Sequence, residues 1–357
     1  MADEEHGAPA ALGEREAARS SNGARRAWSA TRGLLVGRPE TGALFGAAVM
    51  FIFFALRADH FTERSSIAGL MSITAELGIV SMAVALLMIA GHFDLSVGSV
   101  LGFSSFLVPF LMLEHGFTAI EGFVTALVVA VAIGFANGFI VVTTRIPSFI
   151  VTLGTLLMVR GSLLGLSGGE PARVEQGSWV FRVFSYRIEQ DDAIIGGFLE
   201  GYQVSIFWFL GVLVVLSIVL LRTRFGNWIF ASGGNERAAR SMGVPVDRVW
   251  VILFMVTAFA AFLTGVIQAG RFNVVEATRG QQYELQAIAA AVIGGARLNG
   301  GYGSVLGAAL GAFMIAMIQQ GLVLLGIASY WLGVAVGALI IGAVILNQTL
   351  GRSRPQI

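Results

Sequence analysis

Ile67-Ala-Gly-Leu-Met-Ser-Ile-Thr-Ala-Glu-Leu-Gly-Ile-Val-Ser-Met-Ala-Val-Ala-Leu-Leu-Met-Ile-Ala90 carries one charged residue, Glu76, in a run otherwise built of apolar, small and hydroxyl side chains. A helix crosses the hydrocarbon of a bilayer with about 20 mainly apolar residues, so this run is long enough. Runs of the same character lie at 41–56, 97–113, 122–142, 149–167, 204–221, 249–269, 285–294, 304–325 and 330–346. The one at 285–294 is too short to cross and reads as broken or re-entrant, which is tolerated only where protein or a cavity shields the backbone. The expectation is an all-α integral membrane protein with about ten transmembrane helices.

Composition agrees. Of the 357 residues 56% are hydrophobic and 13% charged, against roughly 25% charged in soluble domains. Phenylalanines (26) outnumber tyrosines (5), and glycine is abundant (46), as in helices packed closely in lipid. A net charge of +1 makes no electrostatic case for nucleic acid. Cysteine is absent, which excludes disulfides and thiolate metal sites. All 23 basic residues are arginine, so the lysine of a P-loop is missing and any ATP chemistry belongs to a partner. His6, His60, His92 and His115 are scattered without metal-ligand spacing, so no metal and no cofactor is expected on this chain.

Cytoplasmic loops of membrane proteins carry the excess of basic residues. The segment 222–248 holds Arg222, Arg224, Arg237, Arg240 and Arg248 against Glu236 and Asp247. In 168–203, Arg173, Arg182 and Arg187 are outnumbered by Glu170, Glu175, Glu189, Asp191, Asp192 and Glu200. The first reads as inside and the second as an external loop. Residues 1–40 are polar and charge-mixed, unlike a signal peptide, and read as a disordered cytoplasmic tail. Residues 351–357 read as a second cytoplasmic tail, after a membrane domain at 41–350.

Four segments carry most of the chemistry. In Gly91-His-Phe-Asp-Leu-Ser-Val-Gly-Ser99, Asp94 lies between apolar runs. A carboxylate at membrane depth is costly and usually faces a cavity or a partner. It can also cap the next helix through amides near Ser96 and Val97, and both readings stay open. Glu76 and Arg160 pose the same question, as partners of each other or as walls of a translocation path. The segment from Asn137 to Gly161 offers Asn137, Thr152, Thr155 and Arg160 as donors for sugar hydroxyls or as glue between helices. In the third segment, Gly233-Gly-Asn-Glu-Arg-Ala-Ala-Arg-Ser-Met-Gly243, Asn235 can cap a short helix from Glu236 to about Met242 that Gly243 ends. Its small Ala238 and Ala239 suit a groove on another protein better than lipid. The fourth, 284–311, repeats glycine at 303, 307 and 311, a close-packing stripe.

An internal echo links the first and fourth: Gly91-His-Phe-Asp-Leu-Ser-Val-Gly-Ser-Val-Leu-Gly102 resembles Gly295-Ala-Arg-Leu-Asn-Gly-Gly-Tyr-Gly-Ser-Val-Leu-Gly307. Transporters often contain repeated halves, and convergent glycine-rich sequence explains the echo equally. His92, Ser96 and Asn299 from these segments join Glu76, Asp94, Asn137 and Arg160 as candidate substrate-path residues.

Taken in order, the four segments resemble the permease family of ribose/xylose-type ABC importers, from about Ile67 to Leu350. The resemblance implies two permease subunits (a homodimer by default), a cytosolic P-loop ATPase that holds the ATP and magnesium, and an external or periplasmic sugar-binding protein. It implies a bacterial inner-membrane location, inward transport of a monosaccharide or polyol by alternating access, and no catalysis by this chain. It also implies that the helix with Asn235, Glu236, Ala238, Ala239 and Gly243 docks on the ATPase. His92 and Phe93 replace the family's usual Gly and Ile, and Gln319-Gln320-Gly321 departs from its Asn-Gly, so the particular solute stays open. Branched-chain amino acids or nucleosides are the rival cargoes, and an ion-coupled transporter the rival mechanism. A membrane enzyme would rest on the acidic loop alone.

Overall fold

Eight helices of the computed structural model are long and apolar enough to cross a membrane: α1 (Pro39–Arg57), α2 (Arg64–Ile89), α3 (Val97–His115), α4 (Ala119–Thr144), α5 (Ser148–Ser167), α8 (Ser205–Arg222), α11 (Val246–Phe272) and α13 (Val305–Leu324). The short apolar helix α12 (Tyr283–Ile293) and α14 (Leu332–Gly351), apolar over Leu332–Gly342, complete the ten expected runs. Between them lie the small helices α6 (Trp179–Ser185), α7 (Gly196–Leu199), α9 (Arg224–Gly234) and α10 (Glu236–Ser241). Residues 39–174, 178–189 and 196–351 are described; the expected tails up to 38 and from 352, and Asp191-Asp192, lie outside them. Among the described residues the strands are β1 (Ala172–Arg173) and β2 (Val274–Val275), paired antiparallel with Ala172 opposite Val275.

The layering follows from which helices are apolar all round. From Leu77 to Ala90 every residue of α2 and its cap is buried, so this helix is the axis of the molecule. α3, α11 and α13 surround it, with most of their apolar windows buried. α1, α4, α5 and α8 form the outer layer and leave Phe45, Val128, Leu157 and Val215 exposed, as helices facing lipid do. Small residues let the backbones approach: a β-carbon on Gly134 of α4 would lie 2.5 Å from the Phe254 carbonyl oxygen of α11. The glycine stripe behaves likewise. β-Carbons on Gly307 and Gly311 would meet the carbonyl oxygens of Gly294 and Ala290 at 2.1 and 2.0 Å, so α13 lies against α12.

Two helices are broken, and the breaks position the site. After α2 ends at Ile89 the chain runs non-helically to Ser96 before α3 begins. Its amides are served from α5, Phe93 N donating to Ser148 Oγ (3.1 Å) and Leu95 N to Thr152 Oγ1 (3.1 Å). Shielding of this kind is what irregular backbone needs beside a membrane-spanning helix. The second break follows α11, where the chain passes through β2 and enters α12 through Gln282 in the left-handed region (φ 63°). The first turns of α3 and α12 meet, because a β-carbon on Gly98 would lie 2.5 Å from the Gly280 carbonyl oxygen.

Candidate functional site

At the arginine-rich end, α10 forms where the capping signals place it. Asn235 Oδ1 accepts from Ala238 N (3.0 Å), and the helix closes through Met242 onto Gly243 at φ 81°. Glu236 Oε1 accepts from Arg240 Nε (2.9 Å) and from Arg145 Nη1 (3.4 Å). Arg240 also grips Asp247, Nη1 to Oδ2 at 2.9 Å and Nη2 to Oδ1 at 2.5 Å. Arg145 Nη2 reaches the same Oδ1 at 3.4 Å. Single exposed pairs contribute about 0–1 kcal/mol, but these four charges fasten α10 to the end of α4 and the start of α11. The bonds to Asp247 and then Glu236 push the Arg240 guanidinium further up, so it stays charged. On the outward side Arg237, Ala238, Ser241 and Met242 are exposed, Met242 by 84%, whereas Ala239 is buried against the chain's own helices.

Behind this network stands Trp250. The guanidinium carbons of Arg145 and Arg240 lie 5.9 and 5.6 Å from its ring, and the His92 imidazole packs edge-on at 4.2 Å. Burial lowers the His92 pKa to about 4, opposed in part by Glu236, so the ring is neutral. Gly301 N donates to Ile89 O (2.8 Å), and a β-carbon on Gly233 would lie 1.8 Å from that oxygen. A β-carbon on Gly300 would lie 3.0 Å from the α-carbon of Gly91 and 2.9 Å from the carbonyl oxygen of Gly233, so the two echoing segments touch each other and the end of α9 that leads into α10.

Two residues beyond His92 is Asp94, fully buried. Its Oδ1 accepts from Ser96 N (2.9 Å) and Ser96 Oγ (2.6 Å), and its Oδ2 from Thr257 Oγ1 (2.6 Å). Of the expected cap only the Ser96 amide is taken, one residue before α3, and Thr257 of α11 adds a partner 163 positions away. Asn137 Nδ2 donates to Ser96 Oγ (3.0 Å), and Thr155 Oγ1 donates to Asn137 Oδ1 (2.6 Å). Asn137, Thr152 and Thr155 are all buried, so in this conformation they join helices.

Glu76 and Arg160 do not pair with each other, which removes that alternative. Glu76 Oε1 accepts from Arg271 Nη1 (2.7 Å) and its Oε2 from Gln268 Nε2 (3.0 Å), both on α11. Arg160 projects from the half-exposed side of α5, and its Nη1 reaches the carbonyls of Thr278 and Arg279, each at 3.4 Å. Asn299 is exposed in the loop beside Gly300, which packs against Gly91. Arg271, Gln268, Thr257 and Trp250 are contacts that sequence reading missed, since each is remote in sequence from its partner. Glu284 was also missed, although it is the single charge between Arg279 and Arg297.

A family model described as "Branched-chain amino acid transport system / permease component" matches residues 66–344. The ribose import permease protein of Bacillus subtilis is 30% identical over 309 residues, which is 87% of this chain and 92% of that protein. The xylose/arabinose import permease protein of Sulfolobus acidocaldarius is 33% identical over 307 residues, 84% of this chain and 82% of that one. An autoinducer 2 import system permease protein of Yersinia pseudotuberculosis is 29% identical over 313 residues, 87% and 85% of the two chains. No solved structure matches.

Proposed function

The chain belongs to the family of branched-chain amino acid transport system / permease components, and from that membership we propose that it is the membrane subunit of an ATP-driven importer carrying a small sugar or polyol inward. The family's description names amino acids, while the relatives above are named for ribose, for xylose and arabinose, and for autoinducer 2. Those names favour a sugar-like cargo. The chain itself is a transport subunit of a multi-pass membrane permease; its place is the bacterial inner membrane, with the arginine-rich end in the cytoplasm.

The observation that carries the proposal is α10. A helix of six residues is too short to be stable alone, yet it is capped at Asn235 and closed at Gly243. It is also clamped by Arg145, Glu236, Arg240 and Asp247 and presents Arg237, Ala238, Ser241 and Met242 outward. A rigid helix that exposes Arg237 and Met242 beside the small Ala238 and Ser241 is suited to a groove on a cytosolic ATPase, which holds the ATP and magnesium. Motion of α10 reaches α4 through Arg145, α11 through Asp247 and the Gly91–Ser96 break through Trp250 and His92. Those elements bound the path that alternating access opens and closes.

The exposure of Arg160 supports a second copy of the chain packed along α5. α5 is mostly exposed, with Leu153, Leu157 and Leu164 on its surface beside a half-exposed arginine. A charge facing hydrocarbon is costly; a water-filled path between two copies of this chain removes that cost. A sugar-binding protein delivers cargo to the opposite end, where Glu170, Glu200 and β1 lie.

The test is reconstitution of the tagged chain, with the ATPase and binding protein that copurify in mild detergent, into proteoliposomes. ATP-dependent uptake of D-ribose or D-xylose that is lost, together with the ATPase, in Gly243→Leu is the expected result. Uptake that survives ATP removal and collapses with an uncoupler would replace this reading with an ion-coupled transporter.

A further inference from the structure

We propose that Arg160 and Glu284 are the pair that contacts the cargo's hydroxyls at mid-membrane. The inference rests on the sugar-import reading and deepens it. Three features meet at this point. First, the N-termini of α3 and α12 converge, with Gly98 and Gly280 in backbone contact and the Arg279 carbonyl oxygen 2.3 Å from where a β-carbon of Gly102 would stand. The leading amides of a helix lack intrahelical acceptors and carry partial positive charge. Second, Glu284, in the first turn of α12, is 9% exposed, and its Oε2 has no hydrogen-bond partner. Third, Arg160 offers five N–H donors, of which the described structure engages those on Nη1, through two long contacts.

The chemistry of this place selects the ligand. A cation is repelled by two helix N-termini and a guanidinium, and an anion by the carboxylate. A neutral solute that donates and accepts at neighbouring atoms satisfies both sides. A sugar hydroxyl donating to Glu284 Oε2 and accepting from the Arg160 guanidinium does this, and vicinal hydroxyls do it twice. Exposed Thr278, Gln281 and Gln282 give the approach a polar rim. No bond between Arg160 and Glu284 satisfies either one, and Glu284 Oε2 is closed against Gly98 in this conformation, so the acceptor opens to a group from outside the chain when α3 and α12 part.

The test uses the permease with its ATPase and binding protein in proteoliposomes and measures initial uptake of D-ribose, D-xylose, a panel of monodeoxyriboses and L-leucine. Glu284→Gln preserves shape, and Arg160→Lys preserves charge. Removing one charged hydrogen-bond partner is expected to lower D-ribose uptake about tenfold in Glu284→Gln. That loss shrinks toward none for the monodeoxyribose lacking the contacted hydroxyl, because a missing group cannot be missed again. The binding protein meets the same sugar in both cases, so its own preferences cancel in the ratio. An equal loss across the panel assigns Glu284 a structural role and overturns the proposal, as does D-ribose uptake unchanged in both variants. A wild type that carries L-leucine and neither pentose overturns the sugar reading itself, and with it the hydroxyl contact.

Discussion

The amide of Gly301 donates to the carbonyl oxygen of Ile89 at 2.8 Å, joining the loop before α13 to the last residue of the central helix. Gly233 sits on the same carbonyl, with room for no β-carbon. Three elements thus share one backbone contact at the end where α10 stands. Gly233→Ala must push α9 away from Ile89, since the obstructing atom is backbone and cannot rotate aside. Overpacking of this kind costs about 1–3 kcal/mol. A lowered melting temperature with a larger loss of ATP-driven uptake is expected; wild-type values for both would show that the three elements move independently.

Glu236 faces two arginines of its own chain, so its first task is to hold α10 in place. Glu236→Arg puts a third guanidinium against Arg145 and Arg240. The pairs are partly exposed, and each is worth about 1 kcal/mol or less, so the fold is expected to persist. Uptake and ATPase retention on affinity purification are both expected to disappear. Full retention of the ATPase by a transport-competent variant would move the docking surface elsewhere.

Much of the architecture was legible in the sequence, because hydrocarbon enforces simple rules. Apolar runs became helices with ends shifted by a few residues, and the short run near 285–294 became the short helix α12. Local signals also held: Asn235 caps, Gly243 terminates, and the stripe at Gly307 and Gly311 packs on α12. What stayed hidden were partners remote along the chain. Glu76 finds Arg271 across 195 positions, and no periodicity ranks that arginine above Arg160. Trp250 was hidden for the same reason, as an aromatic in an apolar helix looks like packing. The isolation of Glu284 among alanines and glycines was visible, but the glycine stripe explained that stretch well enough to conceal it.

His92 is neutral because burial against Trp250 holds its pKa at about 4. In the unfolded chain a histidine titrates near about 6.5. Between those values the unfolded state binds the extra proton, so stability is full above the unfolded value, declines as pH falls toward about 4, and is level below it. His92→Phe keeps a ring against Trp250 and removes the titration. Melting temperatures measured from about pH 7 to pH 4 are expected to fall less in this variant than in the wild type. Parallel curves would mean that the imidazole is already solvated in the folded protein.

Asp94 separates an anchor from a path residue by a pair of substitutions. Asparagine keeps an acceptor oxygen for Ser96, and Thr257 can turn its proton to the Phe254 carbonyl, 2.9 Å away, while accepting from the new amide. Asp94→Asn is therefore expected to cost about 1 kcal/mol or less and to retain uptake. Asp94→Ala strands Ser96 and Thr257 in a buried site and is expected to cost about 3 kcal/mol, with uptake lost through instability. A stable Asp94→Asn protein without uptake would instead place the carboxylate's charge in transport.

Glu76 and Arg271 make the buried ion pair of the central helix, with side chains 5% and 19% exposed. Removing one member leaves an uncompensated charge at membrane depth, a loss of about 3–5 kcal/mol. Replacing both with uncharged groups of similar size restores much of it, because the desolvation of two charges disappears with their attraction. Glu76→Gln and Arg271→Met are each expected to lower the melting temperature sharply, and the double variant to lie above both. Gln268 keeps a partner in the glutamine amide oxygen, so the site remains filled. The double-mutant cycle reads the coupling directly. Single effects that simply add would show that Arg271 is served by water or lipid phosphate, and that Glu76 is held by Gln268 alone.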